Sequence, residues 1–266
     1  MIMDIKVLGV RFDPVTRKEA LDKFFFLLKD GKQHQVVTPN PEILLKAKKD
    51  EKYRQILNRA DLSVADGTGV LWASGLGDRS GILKGIFHAV WDRFDKVLPE
   101  RVAGADLMKD FLDKVYNNDE NVKVFLLGGT DGVANTVKDI YTKDNNSFIA
   151  GVYEGSSDVS EDDKIVSLIN TARPDVLFVA YGSPPQEKWI YRNLKKMPSV
   201  KVAMGVGGAF DFISGKIKRA PIFVRKAGLE WLWRLFKQPS RVKRIWNAVF
   251  VFPYMVMVGK INVNIR

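Results

Sequence analysis

The chain has no cysteine, which excludes disulfides, thiolate metal sites and a cysteine nucleophile. Histidine is scarce as well, with only His34 and His88. A multi-histidine metal site is therefore ruled out, and a Ser-His-Asp triad would have to use one of these two. No Asp-x-Asp motif occurs. The N-terminus, Met1-Ile2-Met3-Asp4, has neither a basic nor an apolar leader region, so no signal peptide and a cytoplasmic location are expected. The apolar run from Ile245 to Val258 is interrupted by Pro253 and falls short of the roughly 20 residues that span a bilayer. Acidic residues are missing from one region above all. From Lys216 to Arg266 twelve Lys and Arg face the single acid Glu230, which accounts for the whole +11 net charge. A polyanionic partner should meet the protein there.

What is present is ordinary for a folded soluble protein: 266 residues, 46% hydrophobic and 27% charged, enough for a sizeable core. Ile5 to Val10 reads as a first strand. Thr16-x-x-Glu19 is a capping box for a helix carrying Leu21, Phe24, Phe25 and Leu28. Val36-Val37-Thr38 reads as a strand, after which Asn40 caps a helix with Pro41 at its first position. Leu62-Ser63-Val64 runs into Ala65-Asp66-Gly67-Thr68-Gly69, a strand-to-helix turn that holds a carboxylate at the sheet edge where open α/β folds bind ligands. Asp66 could accept a proton from an attacking hydroxyl; taken alone, it reads more readily as a helix cap.

Ile82 to Leu98 repeats apolar residues at helical spacing, open to reading as a core helix, a flap or a membrane-touching helix. From Val122 onward strands and helices alternate: strands over Val122–Leu127, Phe148–Val152, Asp175–Ala180 and Val200–Met204, helices over Val133–Tyr141, Lys164–Thr171 and Gln186–Leu194. This alternation predicts an α/β fold, a Rossmann-like and mostly parallel sheet with helices on both faces. The body is expected over residues 1–214, with a basic, aromatic-rich helical appendage over 215–266.

Three turns after strands have glycine or polar content suited to chemistry: Gly128-Gly129-Thr130-Asp131-Gly132, Gly182 to Trp189, and Gly205 to Asp211. The first could receive phosphate on backbone N–H groups, though it is not a G-x-G-x-x-G. Tight strand-to-helix packing is the alternative for each. In the tail, Trp231, Trp233 and Phe236 are interleaved with Arg234 and Lys237 and followed by Arg241-Val242-Lys243-Arg244. That mixture suits a helix lying on an anionic membrane or a helical hairpin packed on the body.

Six stretches in order resemble the bacterial WecG/TagA/CpsF glycosyltransferase family: Thr38-Pro39-Asn40-Pro41-Glu42, Ala65 to Gly69, Arg101-Val102-Ala103-Gly104-Ala105-Asp106, Phe125 to Gly129, Gly182 to Trp189 and Gly205 to Asp211. The resemblance implies metal-independent, inverting transfer of N-acetylmannosamine or a related hexose from a UDP-sugar, without a cofactor. The acceptor it implies is N-acetylglucosamine on undecaprenyl diphosphate, met at the inner face of the cell membrane. On that pattern Asp66 matches the general base, with Thr38 beside it as the second catalytic candidate. Asn40, Arg101, Gly128, Gly129, Gln186, Gly207 and Gly208 are the candidate substrate-binding residues. Arg234, Arg241 and Arg244 match arginines that neutralise diphosphate. One departure is the long segment between Trp72-Ala73-Ser74 and Arg101, which bears on acceptor access, oligomer contacts or membrane docking. An anionic membrane surface is the expected partner, nucleic acid is not, and a homo-oligomer is left open. Two rival readings are an NAD(P)-dependent enzyme using Gly128–Gly132 and Glu154, and a nucleic-acid-binding protein using the basic tail.

Overall fold

The computed structural model of the protein describes residues 5–75, 97–118, 120–143, 146–218, 220–221, 224, 233 and 242–258. The chain opens with an antiparallel hairpin, β1 (Ile5–Val7) and β2 (Val10–Phe12), rather than the single strand expected over Ile5–Val10. The reversal lies at Leu8 and Gly9, both at positive φ (49° and 80°), a conformation that leucine adopts rarely and does not advertise in sequence. Helix α1 (Arg17–Lys29) follows, and its capping box is formed: Thr16 accepts from the Glu19 N–H while Glu19 returns to the Thr16 backbone.

Strand β3 (His34–Val37) leads into α2 (Pro41–Lys49), capped by the Asn40 side chain with Pro41 in the first turn. Helix α3 (Glu51–Arg59), the short β4 (Leu62–Ser63) and α4 (Thr68–Gly75) come next. The helix expected around Phe87 to Phe94 lies outside the described residues. Helix α5 (Gly104–Asn118) then returns the chain to the sheet.

Strands buried on both faces have no polar side to display, and the second half of the chain meets that condition repeatedly. Strands β5 (Val124–Gly128) and β10 (Val202–Gly205) are buried at every position, and β9 (Val176–Ala180) at all but its last. Between them lie α6 (Val133–Ile140), a small hairpin of β6 (Thr142–Lys143) and β7 (Asn146–Ser147), strand β8 (Ile149–Tyr153), α7 (Asp162–Ala172) and α8 (Pro185–Asn193). Helix α9 (Ala209–Ile213) follows β10. Six strands form one parallel sheet in the order β4-β3-β10-β9-β5-β8.

One core lies between the sheet and α1, α5, α6 and α9, built around Phe24, Phe111, Phe178 and Phe210. A second lies on the opposite face under α7 and α8, around Trp189, Ile165 and Leu177. A third, beyond the β4 edge, joins the β1–β2 hairpin with α2, α3 and α4. The C-terminal helices enter this third core. Helix α10 (Val242–Trp246) passes through a π turn (Asn247–Val251) into α11 (Phe252–Val258), and Phe252 and Val256 are wholly buried there. The other face of this segment is open: Val242, Trp246, Phe250, Tyr254 and Val258 are all more than half exposed.

Candidate active site

Because the sheet is parallel, every strand-to-helix turn emerges at the same edge. The turns after β3, β4, β9 and β10 meet there. The Asp66 N–H donates to the Pro39 carbonyl (3.1 Å), and Val64 N–H to Val37 (3.0 Å), which ties the β4 turn to the β3 turn. From the far side Val102 N–H donates to Ala65 (2.9 Å) and brings in the start of α5. The Asp66 carboxylate therefore faces the N-terminus of a 15-residue helix: Gly104 N–H lies 3.4 Å from Oδ2, and the Arg101 Nε 3.8 Å from Oδ1. A positive helix end and a guanidinium both complement a carboxylate. Gly104 admits this approach because it has no side chain; a Cβ there would stand 2.8 Å from Thr38 Oγ1. Thr38, Asp66 and Gly104 are thus packed together.

Beside them opens a cavity of about 550 Å³, within the ordinary range for small-molecule sites. Of the candidate site residues, Thr38, Asn40, Asp66, Gly129, Gln186, Gly207, Gly208 and Arg244 line it. Arg101 and Gly128 are not among its lining residues; Arg101 acts on Asp66, and Gly128 lies where a Cβ would meet the Ala180 backbone at 2.9 Å. Arg234 and Arg241 lie outside the described residues. Asn40 Oδ1 accepts the Ile43 N–H (3.0 Å) as the cap of α2, so its Nδ2 is what it has to offer a ligand. Gln186 accepts the Gly207 N–H on its amide oxygen (3.0 Å) and so braces the Gly205 to Gly208 turn.

The phosphate-receiving role weighed for Gly128 to Gly132 meets a competitor. The Gly132 N–H donates to Glu154 Oε1 (2.9 Å), and Asp131 pairs with Lys216 (2.6 Å). A carboxylate of the chain itself holds the helix start where an anion would bind, and Glu154 points to that turn rather than outward to a ribose.

Positive charge enters the cavity wall elsewhere. Glu42 pairs with Lys46 (2.8 Å) and with Arg244 (2.8 Å), while Lys46 Nζ also donates to the Ser183 carbonyl (2.8 Å). Burial would raise the Glu42 carboxyl, but the hydrogen bonds from Lys46 and Arg244 outweigh it and hold the group below its ordinary value. Two cations share one carboxylate, so this cluster of three is net positive within a cavity that Asp66 and Asp211 also line. Lys46 was not singled out from sequence, although its i, i+4 spacing from Glu42 on α2 is the signal for such a pair. Among the described residues no three His, Asp or Glu side chains gather into a possible metal site.

Comparison with known proteins returns the same family along nearly the whole chain. An N-acetylglucosaminyldiphosphoundecaprenol N-acetyl-beta-D-mannosaminyltransferase of Staphylococcus aureus strain MRSA252 is 32% identical over 258 residues, 96% of this chain and 93% of that protein. Proteins of the same description from strains MW2 and NCTC 8325 / PS 47 match at the same identity and coverage. The profile of the glycosyl transferase WecG/TagA/CpsF family matches residues 5–82 and 84–265. A match that runs from the first hairpin through the C-terminal helix leaves no major part of this fold to another ancestry, and the chain belongs to the WecG/TagA/CpsF glycosyltransferase family.

Proposed function

We propose that this protein transfers N-acetylmannosamine from a UDP-sugar to N-acetylglucosamine on undecaprenyl diphosphate, with inversion and without a metal. The observation that carries this reading is the Asp66 carboxylate on the cavity wall, held by Arg101 and the Gly104 N–H. Asp66 accepts the proton of the acceptor hydroxyl as its oxygen attacks the anomeric carbon. The bond from that carbon to the UDP oxygen breaks, and UDP leaves with the electron pair. A single in-line displacement inverts the anomeric centre. Charge gathers on the leaving diphosphate, and Lys46 and Arg244 stand on the same cavity to offset it. The relatives named above carry the donor sugar and the lipid-linked acceptor in their descriptions, which supports both choices here.

The segment from residue 215 acts in this reading as an appendage that completes the site, since Arg244 from α10 reaches the cavity wall. Its outer face carries Val242, Trp246, Phe250, Tyr254 and Val258 at intervals of four, with Trp246 and Phe250 ring centroids 4.4 Å apart. No helix among the described residues is long and apolar enough to cross a membrane. An amphipathic helix with basic residues beside aromatic ones binds at the lipid surface, where a polyprenyl acceptor is held. We place the protein there, on the inner face of the cell membrane.

The test is UDP release from a panel of UDP-sugars, with and without a short-chain polyprenyl-diphosphate N-acetylglucosamine acceptor. Wild type is expected to release UDP from one donor only when the acceptor is present. Asp66→Asn is expected to lower kcat by about 10²-fold or more while retaining UDP binding. Unchanged turnover in Asp66→Asn would remove the proposed base.

A further inference from the structure

Gln186 lines the cavity but has little hydrogen-bonding capacity left for a ligand. Its amide oxygen accepts the Gly207 N–H (3.0 Å), and its Nε2 donates to Glu187 Oε1 (2.7 Å) and Ser183 Oγ (3.3 Å). The amide lies flat against the last strand: a Cβ at Gly205 would come within 2.5 Å of Nε2. Gln186 is 3% exposed and Glu187 2%. The neighbouring carboxyl is held just as firmly. Ser183 Oγ donates to Glu187 Oε1 (2.8 Å), Tyr53 OH donates to Oε2 (3.0 Å), and Gln35 Nε2 donates to the Glu187 carbonyl (3.1 Å). A buried carboxyl is costly, and this one neither lines the cavity nor pairs with a cation in the described structure.

We propose that Glu187 is a positioning residue of the donor site: it fixes the Gln186 amide with its oxygen toward Gly207 and so holds the Gly205 to Gly208 turn in the shape that receives the UDP-sugar. The inference rests on the reading of the cavity as a UDP-sugar site. An amide can present either its oxygen or its nitrogen. With an acceptor at Glu187 Oε1, the nitrogen turns to Glu187 and the oxygen to Gly207. Without that acceptor the amide loses its strongest partner and is free to rotate, and the backbone at Gly207 loses its fixed anchor. Glu187 is itself set by Tyr53 from α3, so the donor turn is referenced to that helix.

The experiment measures kcat, donor KM, acceptor KM and Tm for wild type, Glu187→Gln and Glu187→Met. Glu187→Gln keeps an oxygen acceptor for the Gln186 amide and is expected to stay near wild type in donor KM. Glu187→Met has similar length but no strong acceptor, and donor KM is expected to rise about tenfold, the effect of one buried donor left unsatisfied. Acceptor KM should be unchanged in Glu187→Met, while its Tm falls because Tyr53 OH and Ser183 Oγ lose their acceptor as well. Adding Glu187→Met to Gln186→Met should produce no further rise, because both act through one amide. If Glu187→Met does not fold, Glu187→Asp, which draws the acid back by one methylene, is expected to show the same donor-selective rise. A folded Glu187→Met or Glu187→Asp with wild-type donor KM would overturn the role of Glu187, as would Glu187→Gln being impaired as much as Glu187→Met. A wild type that turns over no UDP-sugar would instead overturn the reading on which the inference rests.

Discussion

Arg244 of the C-terminal segment donates its Nε–H to Glu42 at 2.8 Å, across 202 positions of sequence. Glu42 is the last residue of the Thr38-Pro39-Asn40-Pro41-Glu42 turn, so this pair attaches the tail to the motif that also holds Thr38 and Asn40. Both Glu42 and Arg244 line the cavity, and the attachment is therefore part of the site's wall.

Glu42→Gln is expected to loosen this attachment without unfolding the body. Arg244 is 54% exposed, and ion pairs at such positions contribute only about 0–1 kcal/mol, so Tm should barely change. The readout is amide exchange or proteolytic trimming over residues 242–258, both faster in the variant. The pH dependence follows from the lowered Glu42 carboxyl. Stability from the pair is fully present above the ordinary value of 4.5 and is lost as pH falls through the lower folded value. Wild-type protection of the tail should decline in that acid window, and Glu42→Gln should show no such decline from this group.

Gly104→Ala separates stability from activity. Alanine in place of a helical glycine favours the helix by up to about 1 kcal/mol, yet its Cβ would stand 2.8 Å from Thr38 Oγ1. Something must shift, and the nearest groups are Thr38 and the N–H that faces Asp66. A Tm close to wild type with turnover lowered about tenfold or more is the expected pair of results, since small displacements of reacting groups cost rate steeply. Wild-type turnover would show that the Thr38 contact is not catalytically important.

The two faces of the tail should respond oppositely. Phe252 is wholly buried against Gly69 of α4, and Phe252→Ala should cost about 3–5 kcal/mol of packing. A peripheral helix holds little more than that, so exchange over 242–258 should rise sharply while the sheet core stays protected. Trp246→Ala and Phe250→Ala remove exposed rings and should alter stability by no more than about 0.5 kcal/mol. Their effect should appear as weaker sedimentation with anionic phospholipid vesicles. Unaltered vesicle binding in the double variant would exclude this face as the lipid contact.

Glu187 gives a second, opposite pH signature. Burial raises its carboxyl, and the hydrogen bonds from Gln186, Ser183 and Tyr53 offset this only in part. The folded state therefore holds this proton more tightly than the unfolded chain does. Its contribution to stability falls as pH rises from the ordinary value of 4.5 through the raised folded value. Glu187→Gln removes the titration, so its Tm relative to wild type should grow with pH across that window and then level off. A difference that shrinks with pH would contradict the raised carboxyl.

Much of this architecture is legible from local signals, because each has a local cause. The Thr16–Glu19 capping box and the Asn40-Pro41 helix start require only neighbours in sequence, and both are formed as read. The apolar runs of β5, β9 and β10 announce a two-faced parallel sheet for the same reason. Strand β3 begins earlier than its apolar residues suggest, because buried His34 bonds through Nε2 to Asp30 at the end of α1 (2.8 Å) and buried Gln35 donates to the distant Glu187 carbonyl (3.1 Å). Helix α5 is not among the elements read from sequence, although Leu107, Met108, Phe111, Leu112 and Val115 recur at helical spacing; its glycine start carries no cap signal. Pairings such as Glu42–Arg244 and Tyr53–Glu187 join residues far apart in the chain. No local pattern encodes them, and they are what turns a set of motifs into a site.

The partner of β3 in the sheet is β10, with His34 opposite Val202. A ribosome adding about 5–20 residues per second takes on the order of ten seconds to make what separates them. Throughout that interval the buried residues of β3 have β4 on one side and nothing on the other. The nascent chain must keep an apolar, unpaired strand edge shielded while the middle of the protein is still being made. The cavity cannot close before Gly207 and Gly208 emerge, and its wall is complete only when Arg244 follows. Early release of the chain therefore yields no partial enzyme, only an exposed sheet edge for quality control to recognise.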